Sequence, residues 1–241
     1  MLDSEAYEHE LANPPGGSQD HDSSVIDDAT ENSNEPAPSV PLPPILDVDN
    51  WQAWLDKYVD PLLQRREWEL LTDEVGPNIL EFPMFTERFC KEFIELSESV
   101  DQWTEGRHRY YPTHDMLLET LGFDYIHQYL LREYVYPLAM TMYQLDGDEW
   151  LHMNAENFII RYRPDKQGHL SLHHDASTLS LNLRLNEDFE GGGTYFPKYK
   201  LCLHPRRVGN ALLHPGMITH RHGARPVRSG TRYIVVSFIR K

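Results

Sequence analysis

Between residues 179 and 185 the chain reads LSLNLRL, so that Leu179, Leu181, Leu183 and Leu185 alternate with Ser180, Asn182 and Arg184. Successive side chains of a strand point to opposite faces, and this stretch is predicted as a strand with one apolar and one polar face. Short segments of the same kind fill the region after Asn157: "NFIIRYRP", "LSLHHD", "GGGTYFP", "NALLHP" and "RYIVVSFI", divided by Gly, Pro and Asp turns. They predict a β-barrel or β-sandwich, with the Gly191–Gly193 run as a hairpin turn. Upstream the period is helical. "DVDNWQAWLDKYVDPLL" opens a helix at Trp51 with Asp49 or Asn50 as N-cap, and "TERFCKEFIELSES" places Phe89, Phe93 and Ile94 on one face with Thr86 as its cap. "MLLETLGFDYIHQYLLREYVYPLAMTMY" reads as one or two further helices. Helices are expected to dominate up to about Tyr143, giving an α+β domain with helical support over 45–150 and a barrel over 151–241. No internal repeat is visible.

Composition changes this picture at the N-terminus. Residues 1–44 are rich in Asp, Glu, Ser, Asn, Pro and Gly and too poor in apolar groups to offset the entropy of ordering, so they read as a disordered acidic tail. The formal net charge is −16, of which the first 56 residues contribute 13 negative charges and no Lys or Arg. The remaining 185 residues are near neutral, at −3. With no basic face to track phosphates, neither nucleic acid nor an anionic membrane surface is an expected partner. No apolar run is long enough for a membrane span, and no secretory signal pattern is visible at the N-terminus. Two cysteines, Cys90 and Cys202, exclude a disulfide scaffold or a Cys-rich zinc site.

The chemistry concentrates in "LSLHHDASTLSLNLRL". By strand parity His173 and Asp175 aim at one point while His174 faces away. Two imidazoles and one carboxylate that leave one side of a metal open suit a non-haem Fe(II) oxygenase. His222, 47 residues after Asp175, can supply the second imidazole, and His220, two residues earlier, shares its parity and competes for the role. Arg232 starts an apolar strand ten residues later. A buried guanidinium requires an anion and grips a carboxylate with two hydrogen bonds, which the dicarboxylate 2-oxoglutarate would provide. His214 precedes a Pro-Gly turn and is read as structural. The Gly191–Gly193 run leads into a strand, whereas a phosphate loop leads into a helix.

"HHDASTLSLNLRLN", "FEGGGTYF", "LLHPG", "THRHG" and "SGTRYIVVSF", with "EFPMFTERFCKEF", "YYPTHDMLLETLGF" and "FIIRYRPDKQ" upstream, resemble the catalytic domain of the procollagen-lysine 2-oxoglutarate dioxygenases, within the prolyl/lysyl hydroxylase group. The resemblance runs from about Ile45 to the C-terminus. It implies a double-stranded β-helix (jelly-roll) with supporting helices, His173, Asp175 and His222 as iron ligands, and Arg232 as the base for the distal carboxylate of 2-oxoglutarate. Tyr162, Asn182 and Thr113 fall on its cosubstrate contacts, Asn182 being also on the polar face of its strand. The activity implied is hydroxylation of peptidyl lysine using Fe(II), 2-oxoglutarate, O2 and L-ascorbate, with a lysine-bearing peptide or protein as partner. The alternatives are a prolyl or small-molecule hydroxylase on the same barrel, or a non-catalytic scaffold. The resemblance further implies the endoplasmic reticulum, although the residues leave the cytoplasm open, and a homodimer, although the family's Asp-Pro ending is replaced by "FIRK". Cysteines recur in the family at both positions, which implies a Cys90–Cys202 bridge; the alternative is two buried thiols that pack as small apolar groups.

Overall fold

The computed structural model describes residues 41–107 and 110–241, so nearly all of the acidic tail lies outside the described residues. The chain opens with helices α1 (Trp51–Tyr58), α2 (Pro61–Gln64) and α3 (Trp68–Leu71), followed by strands β1 (Asp73–Gly76) and β2 (Ile79–Pro83). Helix α4 (Glu87–Val100) and strand β3 (Asp115–Leu117) precede helices α5 (Asp124–Leu130) and α6 (Tyr136–Tyr143), which a π-helical turn, Leu131–Val135, joins. The caps fall where the sequence places them: Asn50 accepts the Ala53 N–H at 3.1 Å and Thr86 accepts the Phe89 N–H at 3.3 Å. Ile45 is buried, and its carbonyl accepts the Trp54 indole N–H at 3.0 Å.

Beyond residue 153 come β4 (Asn154–Tyr162), β5 (Leu170–His173), β6 (Leu179–Arg184), β7 (Phe189–Gly191), β8 (Thr194–Phe196) and β9 (Leu201–Leu203). They are followed by β10 (Asn210–Pro215), β11 (His222–Ala224), β12 (Val227–Gly230) and β13 (Arg232–Arg240). A seven-stranded sheet runs β1-β2-β10-β6-β13-β4-β3, a four-stranded sheet runs β5-β11-β8-β9, and β12 pairs with β7. This is the α+β jelly-roll. The large sheet has two different faces. Leu179, Leu181, Leu183, Val235 and Ile239 join the core shared with α4, α5 and α6, whereas Phe158, Ile160, Ile234 and Val236 belong to a separate cluster on the cavity side. No helix of the described residues is long and apolar enough to cross a membrane.

Three expectations are corrected. The helical half also contributes strands: β1, β2 and β3 join the large sheet, β3 forming from the start of "DMLLETLGF" because Met116 pairs with Ile159 across β4. The helix begins only at Asp124, after Gly122 turns the chain at φ 70°. Gly191–Gly193 is not a hairpin turn. All three glycines have positive φ (81°, 72° and 94°), but β7 pairs with β12 while β8 pairs with β11 and β9, so the run carries the chain between sheets. Cys90 and Cys202 are not bridged. Cys90 faces the core from α4, its Sγ 3.8 Å from the Arg184 carbonyl, while Cys202 lies exposed on β9 with its Sγ 3.8 Å from the Gly192 carbonyl. Burial pushes the Cys90 thiol far up in pKa, so it packs as a small apolar group.

Candidate active site

β5 ends on His173, and the following turn is held when the Asp175 N–H donates to the Gly216 carbonyl at 2.9 Å, tying it to the end of β10. β11 begins on His222, which lies opposite His173 in the ladder with β5. One ligand atom from each of His173, Asp175 and His222 falls within 4.8 Å of the others. His173 Nε2 is 3.1 Å from Asp175 Oδ1, and His222 Nε2 is 3.5 Å from Oδ2. The Nδ1 atoms rest against carbonyls, 2.7 Å from Ser171 O for His173 and 2.9 Å from His220 O for His222. A carbonyl only accepts, so each Nδ1 carries a hydrogen, and Nε2 is the atom that faces the carboxylate. His220 is turned elsewhere. Its Nε2 is 2.9 Å from the Pro77 carbonyl, so His222 and not His220 is brought to Asp175.

The electrostatics suit a cation. Burial works against ionisation of Asp175, but the His173 imidazole beside it dominates the remaining influences and holds the carboxyl well below the usual range. Burial likewise works against a charge on His173; contact with Asp175 outweighs it and raises the pKa, whereas burial dominates at His222 and lowers it. Asp175 Oδ1 is buried and receives no hydrogen bond, its approach to His173 lacking the alignment for one. An anionic oxygen in that state is costly unless an electrophile sits beside it. Two imidazoles and one carboxylate fit Fe(II).

The three groups lie on one wall of a cavity of about 370 Å³. Phe158, Ile160, Ile234, Val236 and Phe238 make its apolar wall from β4 and β13. Arg232 enters from the first position of β13, buried at 3% exposure, opposite Tyr162 in the ladder and with its guanidinium carbon 5.3 Å from the Tyr162 ring. Among the described residues no carboxylate pairs with Arg232, and burial lowers its pKa. Burial raises the Tyr162 phenol to about 12, so it stays a neutral donor. Asn182 lines the cavity, with its Nδ2 3.2 Å from His214 Nε2. The other nitrogen of His214 is 2.9 Å from the Pro215 carbonyl and must carry the hydrogen, so the Asn182 amide donates to Nε2. Thr113 also lines the cavity, but its hydroxyl is engaged by Asp115.

The sequence reading missed several neighbours. His214, read as structural, orients Asn182. Tyr111 packs on the His173 ring at 4.9 Å between centroids, and Thr194, Arg107 and the exposed His174 also line the cavity. Ser180 Oγ donates to Asp175 Oδ2 at 2.6 Å; the parity that placed Asn182 on the polar face was the available signal.

Comparison with known proteins agrees with this geometry. Residues 51–148 match the OGFOD2-like domain and residues 150–241 match the 2OG-Fe(II) oxygenase superfamily. Procollagen-lysine,2-oxoglutarate 5-dioxygenase 2 of Mus musculus is 34% identical over 212 residues, 80% of this chain and 28% of that protein. Multifunctional procollagen lysine hydroxylase and glycosyltransferase LH3 of Rattus norvegicus is 39% identical over 204 residues, 79% of this chain and 27% of its own length. The chain thus spans little more than a quarter of these curated relatives. A prolyl 4-hydroxylase structure from Phytophthora capsici has the same fold, with a TM-score of 0.52 at 14% identity over 74% of this chain and 64% of that one. Folded as a jelly-roll around two histidines, a carboxylate and a buried arginine, the chain matches the 2OG-Fe(II) oxygenase superfamily over residues 150–241 and is similar to the procollagen-lysine dioxygenases over about four fifths of its length.

Proposed function

We propose that this chain is an Fe(II)- and 2-oxoglutarate-dependent dioxygenase that hydroxylates a lysine side chain in a peptide. The observation that carries the reading is the convergence of His173, Asp175 and His222 on the cavity that also holds Arg232, buried without a carboxylate partner. The three residues would hold Fe(II), and Arg232 would take the distal carboxylate of 2-oxoglutarate in a bidentate pair, with Tyr162, Asn182 and Thr113 around it. Fe(II) and its cosubstrate, when bound, supply the oxidation of an unactivated C–H bond by O2, with 2-oxoglutarate leaving as succinate and CO2. The chain's own part is to fix the cosubstrate's direction, donate to it from Tyr162 and Asn182, and keep water from the apolar wall.

Lysine as the target rests on the relatives' names. A second reading, hydroxylation of a prolyl residue or an uncharged small molecule, is favoured by one feature of the cavity: among the described residues lining it, Asp175 is the sole carboxylate, leaving none for a lysine ammonium. L-ascorbate as a reductant, a homodimer and residence in the endoplasmic reticulum follow from the resemblance to the lysyl hydroxylases and not from the cysteines, which are free.

Incubation with Fe(II), ascorbate, 2-oxoglutarate and a Lys-Gly repeat peptide, read as succinate and a gain of one oxygen on the peptide, tests the proposal. Both products support it. Succinate without modified peptide selects the second reading, and the absence of both returns the chain to a scaffold.

A further inference from the structure

Asp175 is held by a directed chain of hydroxyls. Ser180 Oγ lies 2.6 Å from Asp175 Oδ2, and Ser177 Oγ lies 2.8 Å from Ser180 Oγ. Each hydroxyl has one hydrogen, and that of Ser180 is committed to the carboxylate, so Ser177 must donate to Ser180. Both serines are buried, at 3% and 0% exposure. Ser180 sits on β6, between β10 and β13 in the large sheet, opposite His214 and Phe238 in the two ladders, so its backbone is fixed from both sides. Ser177 packs against Gly216 so closely that a Cβ there would lie 2.0 Å from its Oγ. The carbonyl of the same glycine accepts the Asp175 N–H.

The two oxygens of Asp175 are therefore unequal. Oδ2 receives a charge-assisted hydrogen bond, whereas Oδ1 receives none and faces His173 Nε2. Turning the carboxylate so that both oxygens reach one cation would break the Ser180 bond and leave its hydroxyl buried without an acceptor. We infer that Ser180 is a positioning residue that fixes Asp175 as a one-oxygen ligand, with Ser177 orienting the Ser180 hydroxyl. A two-oxygen carboxylate would take up a coordination position that the open side of the site needs for 2-oxoglutarate or O2. The inference rests on the reading of His173, Asp175 and His222 as the iron site.

The test is anaerobic calorimetric titration of the full chain with Fe(II) alone, without 2-oxoglutarate or peptide. Ser180→Thr and Ser180→Val add the same bulk and differ in the hydroxyl. The Thr variant should bind Fe(II) within about threefold of the parent, and the Val variant about 10- to 100-fold more weakly, the range typical of losing a partner behind a metal ligand. Ser177→Ala should lose a smaller factor, about three- to tenfold. Equal affinity in the Thr and Val variants overturns the inference; if Ser180→Val does not fold, unchanged affinity in Ser177→Ala does the same. A parent chain that binds no Fe(II) overturns the iron-site reading, and the inference falls with it.

Discussion

Two arginine–tyrosine pairs lie back to back in the ladder between β4 and β13. Arg232 is opposite Tyr162, and one step along, Tyr233 is opposite Arg161. Strand alternation sends the first pair into the cavity and the second toward the helical layer. Arg161 is satisfied there: its Nη1 donates to both carboxylate oxygens of Glu98 at 2.9 Å, its guanidinium carbon lies 4.2 Å from the Trp103 ring, and Tyr233 donates to the same Glu98. Arg232 is more deeply buried and has no carboxylate partner among the described residues. The same residue types in adjacent registers thus serve opposite ends. A folded chain gains nothing from a buried guanidinium without an anion, so the cost of Arg232 makes sense only if a ligand supplies the anion.

The comparison breaks most sharply at the metal. Asp175→Ala removes the charged member of the triad and should abolish turnover and Fe(II) binding together, because two neutral imidazoles alone hold a divalent cation poorly. Metal content by mass spectrometry and succinate release measure both. If this variant kept iron and activity while His220→Ala lost them, the ligand set would be misassigned.

Arg232→Ala should raise the 2-oxoglutarate requirement by a factor of about 10²–10³, the loss of a bidentate charge-assisted pair at about 3–4 kcal/mol. Arg232→Met, which keeps most of the stem without the charge, should leave the melting temperature of the ligand-free protein unchanged or raise it, since a buried unpaired charge is removed. A requirement that stays at the parent value would assign the anion to another residue.

Much of this was legible because strand parity is a strict rule. The leucines of β6 fix which face Asn182 takes, whereas His173 and Asp175 converge although β5 ends at His173, because the turn tied to Gly216 carries the carboxylate back beside the imidazole. His222 against His220 was not decided by parity. A 3-10 turn, Ile218–His220, intervenes and β11 starts only at His222, so the alternation does not run through both residues. β1 and β2 were missed because "DEVGPNILEFP" is short and interrupted by Gly and Pro; tertiary pairing of β2 with β10 makes it a strand. The bridge fails for a different reason. A bridge was carried over from a family pattern, and cysteine recurrence says nothing of distance.

On the opposite face of the ladder, Arg161→Ala should leave the 2-oxoglutarate requirement unchanged but destabilise the fold by about 1–2 kcal/mol, combining an ion pair to the partly exposed Glu98 with a cation–π contact. Denaturant unfolding of the parent, Arg161→Ala and Arg232→Met separates the two arginines: stability should respond to the first and cosubstrate affinity to the second. Equal loss of stability in Arg161→Ala and Arg232→Met would mean that the two pairs do not differ in kind.

The smallest effect lies deeper in the helical layer, at His127 on α5. Its Nε2 is 3.0 Å from the Ser237 hydroxyl of β13, and the Phe85 and Phe123 rings pack nearby at 6.4 and 6.2 Å. Burial depresses its pKa to about 3, against an ordinary value of 6.5. The folded state therefore stays unprotonated at His127 while the unfolded state binds a proton below about pH 6.5, so stability is full above that pH and falls as the pH drops toward 3. The slope from this one group approaches about 1.4 kcal/mol per pH unit well inside the window. Carboxylates contribute in the same direction, so the measurement is a difference. His127→Gln keeps a hydrogen-bonding group but cannot titrate, and the gap between parent and variant unfolding free energies should narrow by about 1 kcal/mol between pH 6 and pH 5. A constant gap over that interval would show that His127 becomes protonated in the folded state and that this face of the sheet tolerates a buried charge as the Arg232 face does.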